Sequence, residues 1–188
     1  MEQTHMDLFQ AMQNRRSIRA YSDEVVSQEQ LLQVLEAGRV APSWENKQCW
    51  SYIVVSDPEL KSRLGEAAQY NPDHSAYEKA TYVLVLCANP HLSGNVESKP
   101  YYMTDAGITL QHVVLAATAL GLGTCWVGWF KEEPIKELLG VPENMRVVAI
   151  TPLGYPAENP GPRPRKALDK IAFENTWGQP LNSIERKE

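Results

Sequence analysis

From Tyr102 to Leu120 apolar residues are so dense that a helix built from them has almost no face left for water, and Gly121 and Gly123 follow as its natural stop. Such a helix must sit at the centre of a core and be covered by other elements. A chain of 188 residues is the length of one ordinary domain, so one core around this helix is the expected organisation. No apolar run reaches the length of a bilayer crossing.

Elements able to cover that helix lie on both sides of it. Ser27 and Gln30 have capping-box spacing, and Leu31, Val34 and Leu35 then form one helical face before Gly38. Trp50 to Val55 reads as a strand, and Ser56 and Glu59 suit the start of a helix running to Ala68. Thr81 to Ala88 reads as a second strand and Asn89 to Pro100 as a loop. Thr124 to Trp129 and Arg146 to Leu153 read as further strands, on either side of a helix with Pro134 in its first turn and Gly140 past its end. On pattern alone, strands alternating with helices predict a parallel α/β sheet. Residues 155–188 hold Pro156, Pro160, Pro162, Pro164 and Pro180 and little periodicity, so this tail is expected to lie against something other than itself. No repeat or linker divides residues 1–188.

Several chemistries are excluded by their missing parts. Gly121-Leu122-Gly123-Thr124-Cys125-Trp126 fails as a dinucleotide fingerprint, because Trp126 stands in the third glycine's place and the glycines end a helix where the fingerprint opens one. No Walker A, H-E-x-x-H or G-x-S-x-G sequence occurs, and His5, His74, His91 and His112 lack metal-ligand spacing. His112 reads as a hydrogen-bonded core residue. Cys49, Cys87 and Cys125 are far apart in apolar surroundings and read as buried thiols. A net charge of -5 gives no support to binding of nucleic acid or anionic membrane. Glu2, His5 and Asp7 stand where a signal peptide needs an apolar stretch, so a cytoplasmic protein is expected. With no nucleophile, base or metal set in view, an enzyme of this sequence would depend on a bound cofactor.

Two basic clusters suit an anion. Asn14-Arg15-Arg16-Ser17-Ile18-Arg19 places three guanidiniums and a hydroxyl together after a short helix; its bland reading is a basic stretch favoured by a helix C-terminus. Arg163, Arg165 and Lys166 follow, with Pro160, Pro162 and Pro164 stiffening the backbone that carries them. The loop Ala41-Pro42-Ser43-Trp44-Glu45-Asn46-Lys47-Gln48-Cys49-Trp50 mixes amide and hydroxyl donors with two tryptophans, which suits a planar heterocycle. Its bland reading is a surface loop anchored by its tryptophans.

Taken in order, Arg15-Arg16-Ser17-x-Arg19, Ala41-Pro42-Ser43-x-x-Asn46-x-Gln48-x-Trp50, Gly121 to Gly128, Gly154-Tyr155-Pro156-Ala157 and Pro162-Arg163-Pro164-Arg165-Lys166 resemble the nitroreductase family of FMN enzymes from about Asp7 to Trp177. The resemblance implies an α+β fold, a mixed β-sheet flanked by helices, and an intertwined homodimer with the tail packed on the partner subunit. It implies an oxidoreductase that passes electrons from NADH or NADPH through FMN to a small acceptor, such as a nitroaromatic or quinone, in a ping-pong cycle. Alternatives on the same scaffold are a flavin-dependent dehalogenase or dehydrogenase, or a flavin-binding sensor or storage protein. Arg15, Ser17 and Arg19, with Arg16 adjacent in the same motif, match N-terminal positions that contact the flavin phosphate, ribityl chain or ring carbonyl oxygens, and Arg163 and Arg165 match the C-terminal phosphate contacts. Pro42, Ser43, Trp44 and Asn46, with Gln48 just beyond, match a loop lent by the second subunit, and Val127 and Gly128 match backbone near the reactive ring nitrogen. No side chain is assigned as a catalytic acid or base. The family's usual Gln-Pro-Trp reads Gln48-Cys49-Trp50 here, and its mid-chain asparagine has only Asn71 as a match.

Overall fold

A computed structural model describes residues 6–68 and 74–181. Helix α1 (Leu8–Asn14) precedes α2 (Gln28–Arg39), strand β1 (Trp50–Val55), α3 (Pro58–Ala67), α4 (Ser75–Lys79) and strand β2 (Tyr82–Ala88). A short hairpin, β3 (Asn95–Val96) and β4 (Lys99–Pro100), leads into α5 (Tyr101–Ala119), followed by β5 (Gly123–Thr124), α6 (Glu132–Leu139) and β6 (Arg146–Gly154). Asn71 lies outside the described residues.

The expectation of parallel strands is corrected: β1-β2-β6-β5 form a sheet whose ladders are all antiparallel. The reason is in the connections. β1 ends at Val55, which pairs with Val83 near the start of β2, so the chain between them must return to the end it left. A single crossover helix would carry it to the far end and make the strands parallel; the two packed helices α3 and α4 run out and back. A parallel bridge between Ser17 and Thr124 at the β5 edge gives the sheet its mixed character, as the α+β nitroreductase-like expectation has it.

β2 is buried on both faces, which explains its unbroken apolar run. Leu84, Leu86 and Ala88 join α2 and α5 in one core cluster, while Val83, Val85 and Cys87 join α3, α4 and α6 in the other. A register shift opposite Leu86/Cys87 puts Ala149 in the first cluster and Val147 in the second; a bulge re-aims side chains in this way. α5 is buried along Asp105, Ala106, Thr109, Leu110, Val113, Val114 and Ala117, not all round. Ser27 and Gln30 form the expected capping box, but α2 runs through Gly38 instead of stopping there. A Cβ on Gly38 would come within 2.8 Å of Val113, so this glycine serves the close packing of α2 on α5. The cap of α3 is Asp57, which accepts from the Leu60 amide, with Pro58 opening the helix. The strand expected from Thr124 to Trp129 shrinks to β5 and a bridge between Val127 and Ile150.

Candidate functional site

The arginine motif is held by the edge of the sheet. α1 ends at Asn14, and the extended residues after it take up partners one by one: the Ile18 amide donates to the Thr124 carbonyl at 2.9 Å and the Ser22 amide to the Tyr155 carbonyl at 2.9 Å. The Ala157 amide returns a bond to the Ala20 carbonyl at 2.9 Å, so residues 20–22 and 155–157 pair as short antiparallel segments. Tyr21 is buried, and its hydroxyl donates to the Ile18 carbonyl at 2.8 Å, with the Pro152 carbonyl at 3.2 Å. Burial pushes this phenol well above its ordinary value, so it remains a donor.

The glycines of the two central motifs make this approach possible. A Cβ on Gly123 would stand 2.9 Å from Ile18, and one on Gly154 would stand 2.8 Å from the Tyr21 ring. Their role in this chain is to let the arginine segment lie flat against β5 and the end of β6.

The pairing brings the two basic clusters together. Arg15, Arg16, Ser17 and Arg19 share a cavity of about 330 Å³ with Pro160, Gly161, Pro162, Arg163 and Arg165; Met12 and Gln13 of α1 complete its lining. Five arginines, each permanently charged, line it and no acidic residue does. Arg16 follows the bland reading in part, because its Nη1 donates to the carbonyls of Gln13 at 2.7 Å and Arg15 at 2.9 Å at the helix end. Its Nε is buried and has no hydrogen-bond partner among the described residues, a donor that an anion in the cavity would satisfy. Arg165 donates to the carbonyls of Arg163 and Pro164 at 3.1 and 3.2 Å. A phosphate-bearing cofactor fits this donor set.

Pro42, Ser43, Trp44, Asn46 and Gln48 do not line that cavity. Their loop enters β1 at Trp50, which pairs with Ala88, itself paired with Arg146 at the start of β6, whereas the arginines lie beside Leu153 and Gly154 at its end. Seven residue steps of strand separate the two, roughly 23 Å. Glu45, Asn46 and Gln48 have φ of 45°, 57° and 49°, a left-handed backbone that costs about 1 kcal/mol or more per residue. The loop keeps this shape through the Ser43 hydroxyl, which accepts from the Gln48 amide at 2.9 Å, and through Asp105 on α5. Asp105 is buried and accepts from the Trp44 amide at 2.9 Å, the Ser93 hydroxyl at 2.7 Å and the Cys49 thiol at 3.6 Å. Cys49 therefore supplies a thiol to Asp105 where proline would supply none. Burial first, then the Asp105 carboxylate, pushes that thiol up to about 11.

Val127 exchanges two 2.9 Å backbone bonds with Ile150, three residues along β6 from Leu153, so residues 124–128 run from the arginine end toward mid-strand. Trp126 and Trp129 beside them are 42% and 71% exposed, enough to offer aromatic surface. His112 makes its expected hydrogen bond, with Nδ1 3.2 Å from the Ala37 carbonyl, but is half-buried and not part of the buried core. Among the described residues no cluster could hold a metal and no helix is long and apolar enough to cross a membrane. Tyr21, Glu158 and Asp105 escaped the sequence reading. A lone carboxylate on an otherwise apolar helix was a usable signal for Asp105; for the other two, nothing in the linear order shows that residues 20 and 157 are neighbours.

Known proteins resemble this chain in sequence and fold. A model of the nitroreductase family matches residues 12–78 and 69–155. A Bacillus subtilis protein described as FMN reductase (NAD(P)H) is 31% identical over 91% of this chain and 74% of its own. A Thermus thermophilus protein described as NADH dehydrogenase is 32% identical over 89% of this chain and 96% of its own. The crystal structure of a nitroreductase family protein from Clostridium novyi NT superposes with a TM-score of 0.77 at 35% identity, over 95% of this chain and 99% of that one.

Proposed function

The chain belongs to the nitroreductase family, and on that premise we propose that it is an FMN-dependent oxidoreductase that takes electrons from NADH or NADPH and delivers them to a small acceptor such as a nitroaromatic or quinone. The observation that carries this is the convergence of two distant arginine clusters on one carboxylate-free cavity. When bound, FMN supplies the redox chemistry.

The chain's own residues position it. Arg15, Arg16, Arg19, Arg163 and Arg165, with Ser17, hold the phosphate by charge-assisted bonds, and the backbone of Val127 and Gly128 approaches the ring. Pro42, Ser43, Trp44, Asn46 and Gln48 lie a strand's length from this cavity, so they serve the flavin of a second copy in a homodimer. Leu8, Phe9 and Met12 of α1 and Leu168, Ile171 and Trp177 of the tail are exposed in one chain, as fits a tail packed on a partner. Donor and acceptor use the same opening in turn, a ping-pong order.

The purified protein is expected to be yellow, to release FMN on heating as identified by mass, and to show twice the 21.1 kDa chain mass by light scattering. Anaerobic mixing with NADH or NADPH, followed by flavin absorbance, then measures reduction and ranks the two donors. A colourless protein that ignores added FMN, or one that binds FMN and is reduced by neither nucleotide, overturns the proposal.

A further inference from the structure

Where the antiparallel pairing of residues 20–22 with 155–157 ends, a side chain continues it. Oε1 of Glu158 accepts from the backbone amides of both Arg19 and Ala20. Just beyond it the tail passes through Pro160, Gly161 and Pro162, which line the same cavity as Arg163 and Arg165.

By charge alone, a carboxylate beside a cavity meant for an anion weakens anion binding. By geometry it does the opposite, because bonds from amides to a carboxylate are roughly twice as strong as neutral ones and these two fix Arg19 relative to the tail. Arg19 Nη1 meanwhile rests on the Ser17 carbonyl at 3.3 Å, and among the described residues no ion pair joins Arg19 to Glu158.

We propose that Glu158 is a positioning residue of the cofactor site: it holds the N-terminal arginines in register with the C-terminal ones and so strengthens binding of the flavin phosphate. The inference rests on the cofactor reading above.

The test is titration of apo-protein with FMN and with riboflavin, which has the same ring and no phosphate, for the unaltered chain, Glu158→Ala, Glu158→Gln and Arg165→Ala. Glu158→Ala is expected to weaken FMN binding about tenfold and to leave riboflavin binding unchanged within about twofold. Glu158→Gln keeps an acceptor oxygen without its charge and is expected to fall between the two. Unchanged or tighter FMN binding in Glu158→Ala overturns the inference, since the carboxylate then only repels the anion. Equal weakening of FMN and riboflavin also overturns it, since the loss is then general. Should Glu158→Ala fail to fold in thermal melts, the FMN-to-riboflavin preference of Glu158→Gln decides: a reduced preference supports the inference and an unchanged or larger one overturns it. Arg165→Ala separates the two levels. If it weakens FMN while the Glu158 variants do not, only the inference fails; if none of the three affects FMN, the phosphate assignment fails with it.

Discussion

Replacing Gly123 by alanine should damage FMN binding through Ile18, not through any contact of residue 123 with the cofactor. The new Cβ would stand 2.9 Å from Ile18 Cβ and Cγ2 and 3.0 Å from Cγ1. Carbon atoms settle about 3.5 to 4.0 Å apart, so Ile18 must retreat by roughly 0.6 to 1.1 Å. A rotamer change cannot achieve this, because Cβ moves only with the backbone and the Ile18 amide is bonded to the Thr124 carbonyl at 2.9 Å. The whole segment shifts, carrying Ser17 and Arg19 with it. Overpacking of this kind costs about 1 to 3 kcal/mol, and each 1.4 kcal/mol expressed in binding is about a tenfold loss of FMN affinity. The assay is a double-mutant cycle with Ile18→Ala, read by thermal melting of the apo-protein and by FMN titration. Ile18→Ala alone should cost about 2 to 5 kcal/mol, but the double variant should lose less than the sum by at least about 0.5 kcal/mol, because two of the three clashing carbons are gone. Unaltered melting and FMN affinity in Gly123→Ala would refute the reasoning. So would strict additivity, which would mean that residue 123 does not act through Ile18.

Three further outcomes follow from other parts of the fold. Burial works against ionisation of Glu132, but bonds from Arg146 and from the Val147 amide outweigh it and hold its carboxyl below the ordinary 4.5. The stability it confers is present above about pH 4.5 and disappears as pH falls through the lower folded value; Glu132→Gln should therefore be less stable than the unaltered chain at pH 7, with the gap closing in urea melts toward pH 3, and a gap independent of pH would refute the assignment. Cys49, Cys87 and Cys125 are buried, and burial raises all three thiols, the first two to about 11; a thiol reagent at pH 8 should leave the native protein nearly unlabelled and find three thiols in denaturant, and fast labelling of the native state would contradict this burial. Ser27→Ala removes one half of the α2 capping box and should cost about 1 kcal/mol in thermal melts; no loss would mean that the cap is redundant with tertiary packing.

Local patterns in the linear order were enough for much of the scaffold. Ser27 and Gln30 spell a cap that depends only on residues three apart, β2 announces its double burial by an unbroken apolar run, and the glycine after α6 adopts the left-handed turn, φ 63°, that ends a helix. The arginines and prolines of both basic clusters were equally plain, because charge and stiffness belong to residue type. What the sequence alone could not decide was everything that depends on distant segments meeting. Antiparallel strands follow from α3 and α4 folding out and back, a fact of packing that alternating strands and helices do not encode. Gly38 reads as a helix stop and serves as a packing contact because Val113, seventy-five positions away, closes on it. Arg19 and Arg165 are 146 positions apart, and neither cluster carries a signal that the other exists. Pairing of residues 20–22 with 155–157, the Glu158 tie and the two glycines that let the segment lie flat bring them into one cavity. Chemical type is fixed residue by residue, whereas a binding site is a set of distances, and those were set only when β6 and the tail closed against the N-terminal segment.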